Sequence, residues 1–217
     1  MPFYNSLQKM LWLSAFLWIV KILQTSLELP LNRFFALYPR HSKGLIGILF
    51  SPFLHADFVH LISNTVPLIV LGTAILYFYP KVSYKVFAWS YLATGLLVWL
   101  FARTAPHIGA SGQVYAWAAF LFFSGIFRKD IKFMSLSLAV FVLYGGMLEG
   151  VFPKETHVSW ESHLFGALVG IFCAFYYKNI HEIEEKEHII HFSVSKGYRN
   201  IEGQNFKYVF KENKKKN

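Results

Sequence analysis

Six apolar stretches, each about long enough to cross a bilayer, recur along this chain: residues 10–29, 58–79, 84–102, 111–127, 133–149 and 160–177. Lipid offers no partner to an exposed backbone amide, and a helix satisfies its own. Uninterrupted runs of this length therefore predict an all-α, polytopic membrane protein with six transmembrane helices. The breaks at 80–85 and 128–132 are tight and basic, which assigns them to the cytoplasm. Six spans then place both termini on that side, with the loops 30–57, 103–110 and 150–159 opposite. The first apolar segment lacks a basic leader and a small-residue cleavage site, so it is expected to remain as a helix.

Composition agrees with this assignment. Hydrophobic residues make up 55% and charged ones only 15%, against ordinary values near ~45–50% and ~25%. The net charge of +9 lies largely in the short loops and the tail. It reads as membrane orientation and lipid contact, with no nucleic-acid partner. Residues 1–178 form one membrane domain, and 179–217 a charged cytoplasmic tail. Cys173 is the single cysteine, so no disulfide framework or thiolate metal site can form. A His-Glu-x2-His zinc pattern is absent too. The expectation is no metal and no cofactor. Lys21, inside the first segment, is expected to snorkel to the interface.

Three short motifs open the second, fourth and sixth segments: His55-x4-His60-x3-Asn64, Gly109-Ala-Ser111-Gly112, and His163-x2-Gly166-x3-Gly170. Those three segments all run inward from the non-cytoplasmic face, so their polar groups share one depth. A helix from Ser111 to Phe127 is about 25 Å long, against a hydrocarbon core of ~30 Å. Ser111 should sit below the surface, in a cavity that admits water.

A serine becomes a nucleophile when a base accepts its proton, and His163 is the candidate base. His60 and Asn64 share a helix face and can donate to a developing oxyanion, as can the Ser111 amide. Tyr115 stands one turn beyond Ser111, where its ring can pack on the imidazole. Gly112, Gly166 and Gly170 permit close helix approach. Glu161 should point away from His163, leaving a Ser–His dyad. The plainer alternatives are a helix-capping serine, interhelical histidine bonds and glycine packing.

These residues resemble the rhomboid family of intramembrane serine proteases, over most of residues 45–178. The pattern runs from Phe53-Leu54-His55 through Leu71-Gly72 and Tyr115 to Gly170. The resemblance implies a six-helix fold, Ser111 as nucleophile, His163 as base, and His60, Asn64 and the Ser111 amide as oxyanion hole. His55 would be structural and Tyr115 a support. Substrates would be transmembrane proteins cleaved in or near their spans through an acyl-enzyme, in the cell membrane, with the site open to the non-cytoplasmic side. Residues 150–159 would form a lid, and the fifth helix a lateral gate. The chain departs from the pattern at Ile46-Gly47, where many members carry Trp-Arg, at Ser162, where alanine is common, and at Leu76, where bacterial relatives often carry an acidic residue. A catalytically inactive helix-binding relative is the main alternative, and a small transporter a second.

Overall fold

A computed structural model of the chain describes residues 3–153, 159–180 and 182. The 179–217 tail lies almost wholly outside them, as do residues 154–158 of the expected lid.

The described residues are helical, with no strand among them. Six helices are long: α1 (Phe3–Ser26), α4 (Phe58–Phe78), α5 (Ser83–Phe101), α6 (Ser111–Arg128), α7 (Ile131–Tyr144) and α8 (Trp160–Tyr176). Two short ones, α2 (Leu31–Phe35) and α3 (Gly47–Phe50), lie with 3-10 turns in the loop between α1 and α4. Local chemistry sets several ends. Asp57 caps α4 by accepting from the His60 amide at 2.7 Å, and Asp130 caps α7 through Lys132 N at 2.8 Å. Lys129, at φ 54°, turns the chain out of α6 in a left-handed conformation. α1 begins seven residues before the expected boundary, its early polar side chains being absorbed by packing: Ser6 is buried, and Lys9 donates to Tyr84 Oη.

Among the described residues four stretches are long and apolar enough to cross a membrane: Phe3–Ser26, Phe58–Phe78, Ser83–Phe101 and Ile131–Val151. α6 and α8 differ for a physical reason. They are short, at 18 and 17 residues, and their buried faces carry Ser111, Gln113, Ser124, Glu161 and His163 in place of aliphatic groups. They also form the broadest helix pair among the described residues, flanked by α4, α5 and α7. Leu61, Ile75, Leu76, Phe120, Leu121 and Cys173 fill the core between them, all completely buried. Outward faces of the outer helices are apolar and exposed, as at Trp12, Ile19, Leu138 and Val142. That is the inverse of a water-facing surface and the expected one for lipid.

Lys21 does not snorkel. It is buried, and its ammonium donates to the Ala56 carbonyl at 2.9 Å, just before α4. A loop carbonyl supplies the partner that the interface was expected to provide.

Candidate active site

Two loops bring the N-terminal ends of α4, α6 and α8 together. Leu37 and His107 exchange both backbone bonds, at 3.0 and 2.9 Å, so the loop after α1 pairs with the loop before α6. The Gly109 amide donates to the Ser51 carbonyl at 2.9 Å. Gly47 lies where a Cβ would enter the Leu37 backbone. At this departure from the family pattern, glycine lets the two strands of loop cross.

Gly109 adopts φ +109°, and a Cβ there would lie 2.7 Å from the His60 ring. Only glycine suits both the dihedral and the contact. His60 in turn meets His55 edge-on, with centroids 5.1 Å apart. His55 is completely buried, and its Nε2 accepts from the Ala110 amide at 3.5 Å. Burial first, and the nearby His60 second, push its pKa down to about 4, so it is neutral at pH 7. The loop that delivers Ser111 thus rests on the start of α4.

Ser111 is the first residue of α6, and the N-cap is Ala110, which makes no capping bond. The helix-capping alternative for Ser111 therefore fails. Its amide, at the helix N-terminus, has no intrahelical acceptor and carries the positive end of the dipole. Asn64 is buried and donates to the His60 carbonyl at 3.0 Å, which leaves a second amide hydrogen uncommitted by that bond.

α6 and α8 meet backbone to backbone. A Cβ at Gly166 would enter the Gly112 carbonyl, and one at Gly170 the Ala116 carbonyl. This approach sets Ser111 and His163, both nearly buried, at the same end of one helix pair. Tyr115 and His163 stack, with centroids 4.1 Å apart and planes 6° from parallel. His163 Nδ1 donates to the Gly150 carbonyl at 2.9 Å. A carbonyl can only accept, so that nitrogen bears the hydrogen and Nε2 keeps the lone pair. Among the described residues no hydrogen bond joins His163 to the Ser111 hydroxyl. Glu161 turns away, accepting from Arg103 N at 3.3 Å and pairing with its guanidinium at 3.5 Å. Glu161 is thus committed to Arg103 and stands in no bond with His163 among the described residues.

Beside the site, several groups form a hydrogen-bonded link that the sequence reading did not assign. His107 Nε2 donates to the Arg103 carbonyl at 3.1 Å, and Nδ1 accepts from Ser159 Oγ at 2.5 Å. Ser159 in turn accepts from Ser162 Oγ at 2.6 Å. Ser162, the second departure from the family pattern, thereby ties α8 to the loop before α6. Burial lowers the His107 pKa, partly offset by the Arg103 carbonyl and Glu161. A cavity of about 30 Å³, lined in part by Ser51, Thr94, His107, Gly112, Gln113 and Ser162, adjoins these groups. Thr94 Oγ1 and Gln113 Oε1 are buried without a partner among the described residues. Such a space suits a water molecule. A larger open groove of about 630 Å³, along Arg33, Phe34, Tyr38, His41, Lys43 and Ile46, shares no residue with the site. No cluster of side chains fit for a metal occurs among the described residues.

The sequence profile of the Rhomboid domain matches residues 42–180. An uncharacterized protein of Mycobacterium tuberculosis is 35% identical over 150 residues, covering 63% of this chain and 61% of its own length. One of Mycobacterium bovis matches to the same extent. One of Mycobacterium leprae is 37% identical over 143 residues, covering 60% of this chain and 55% of its own length. The chain thus spans less than two thirds of the length of these relatives.

Proposed function

This chain belongs to the rhomboid family, and we propose that it is an intramembrane serine endopeptidase. In this reading six helices, α1 and α4 to α8, span the membrane around a water-accessible cavity, with both termini and the 179–217 tail in the cytoplasm. The cavity opens to the non-cytoplasmic side of the cell membrane, and the substrates are transmembrane proteins cleaved in or near their spans. One observation carries the proposal. His163 stands on α8 with Nδ1 committed to Gly150 and its face stacked on Tyr115. Its basic nitrogen is thus fixed at the end of the helix pair that presents Ser111.

Each step follows from those groups. Nε2 accepts the Ser111 proton as Oγ attacks the substrate carbonyl carbon. The carbonyl oxygen gains the negative charge and lies within the donor set of the Ser111 amide, Asn64 and His60. One donor of this kind is worth ~2.7–4 kcal/mol in the transition state. The imidazolium gives its proton to the leaving amine as the C–N bond breaks, leaving an ester on Ser111. Water then attacks the ester, its proton passing to Nε2 and from there to Ser111 Oγ as the C–O bond breaks, and the free acid departs. Burial of the dyad excludes bulk solvent, while the small cavity beside Gly109 and Gly112 offers room for the water that deacylation consumes.

The missing Ser111–His163 hydrogen bond favours the second reading, a rhomboid relative that binds transmembrane helices without cleaving them. Catalytic hydrogen bonds often tighten only around bound substrate, so this observation weighs less than the oriented base. A fluorophosphonate probe applied to purified protein in detergent and in bilayers separates the two. Labelling of wild type that vanishes in Ser111→Ala and His163→Ala is the expected outcome. A folded wild type that stays unlabelled in both media would establish the helix-binding reading instead.

A further inference from the structure

The 3-10 turn Gly145–Val151, which continues α7, has two carbonyls aimed at the paired rings. Tyr115 Oη donates to Met147 O at 2.8 Å, and His163 Nδ1 to Gly150 O at 2.9 Å. Residues three apart in a 3-10 helix lie on one face, so both acceptors project the same way. Two parallel rings are therefore each held at one edge by the same short stretch of main chain. A Cβ at Gly150 would enter the Tyr115 hydroxyl and stand 3.1 Å from His163 Nδ1. At Gly146, on the same turn, a Cβ would meet nothing within 4 Å.

We infer that Gly150 is a positioning residue for the reaction proposed above: its carbonyl fixes the tautomer and angle of His163, while the Met147 carbonyl fixes the ring beneath. The inference rests on the protease reading for its catalytic meaning. Its geometric content stands apart from that reading. In a serine triad a carboxylate accepts from this same ring nitrogen and holds the imidazole in the competent tautomer. Here Glu161 is committed to Arg103 and a neutral main-chain oxygen occupies that position. Because the turn is the end of α7, the orientation of the base depends on where that helix sits.

Nitrogen-15 spectra of histidine-labelled protein in lipid nanodiscs, with His163→Gln to assign the signal, test the geometry directly. The expected result is a neutral His163 with its hydrogen on Nδ1; hydrogen on Nε2 overturns the inference. Fluorophosphonate labelling of Gly150→Ala should then slow about tenfold or more, with the tautomers mixed, while Gly146→Ala labels at the wild-type rate. Equal rates and unchanged tautomers in the two variants also overturn it. If wild type does not label at all, the protease reading falls, and the nitrogen signal still decides the role of Gly150. Should Gly150→Ala not fold, the wild-type spectrum alone decides.

Discussion

The two ends of α6 are built on opposite principles. At its last residue, Arg128 donates to the Ile180 and Tyr177 carbonyls at 2.5 and 2.9 Å and pairs with Glu182 at 3.6 Å. Its guanidinium also lies 5.1 Å from each of the Tyr79 and Phe133 ring centroids. Glu182 accepts from the Lys81 amide at 2.9 Å, so the chain beyond α8, the end of α6 and the α4–α5 turn are knotted together. At the first residue, Ser111 has a hydroxyl with no capping role, an amide without an intrahelical acceptor and a glycine directly after it. One end holds the bundle together by committing a buried guanidinium to several partners at once. The other leaves the Ser111 hydroxyl and amide outside the bonding of the helix itself.

Substitutions at the two ends should therefore separate activity from stability. Gly166→Val is the largest expected change. Its side chain would drive α8 away from the Gly112 carbonyl, and a displacement of about 1 Å at reacting groups costs ~100-fold in rate. Probe labelling measures that loss, and a near-normal rate would show that the close approach is not needed for the site. Arg128→Met should do the reverse. Stranding Glu182 costs on the order of 3 kcal/mol of stability, largely recovered in Arg128→Met/Glu182→Leu. Thermal unfolding in detergent reads the loss, and labelling per folded molecule should hold. A fall in that specific labelling would mean that the two ends are not separable.

The next effect is a pH dependence at the Ser111 end. Folded His55 stays neutral down to about pH 4, while the unfolded chain takes up its proton near 6.5. Between these values the unfolded state binds more protons, so stability is complete above 6.5 and falls as pH drops toward 4. The buried ring faces His60, Lys21 and Asp57, of which Lys21 adds to the effect and Asp57 opposes it. A loss on the order of 2 kcal/mol is expected. It should be visible as a melting shift between pH 7 and pH 4.5 that shrinks in His55→Asn. An equal shift in that variant would assign the acid sensitivity elsewhere. The smallest change is Tyr115→Phe, which keeps the ring stack and loses only the bond to Met147. Labelling should slow about threefold, the worth of one ordinary hydrogen bond.

Much of the scaffold could be read from residue order, because a membrane core makes apolar length the signal. The expected starts and ends of α4 to α6 and α8 lie within about a residue or two of the observed ones, as helix boundaries usually do. α1 was harder, since Asn5, Ser6, Gln8 and Lys9 interrupt the run while the helix continues through them. The loop 30–57 was not legible as structure. Its short helices and turns are held by backbone bonds to distant partners, Leu37 to His107, Arg40 to Trp99 of α5 and Ser51 to Gly109, and such partners have no fixed spacing. In the site, Ser111, His163, His60 and Asn64 stood out because side-chain chemistry recurs at helical intervals. His107 and Ser159 did not, being joined across 52 residues of chain, and Ser162 stood out only as a departure from the family pattern. Gly150 left only the mark of being glycine in a loop.

That last feature has an evolutionary face. An orienting carboxylate in this position would place a further ionised group inside a lipid-bound bundle, at a desolvation cost of several kcal/mol. It could also be erased by a single codon change. A peptide carbonyl carries no charge, and every amino acid supplies one. Genetic variation can reach this part of the base only by displacing the main chain, or by adding to residue 150 the one carbon that Tyr115 leaves no room for.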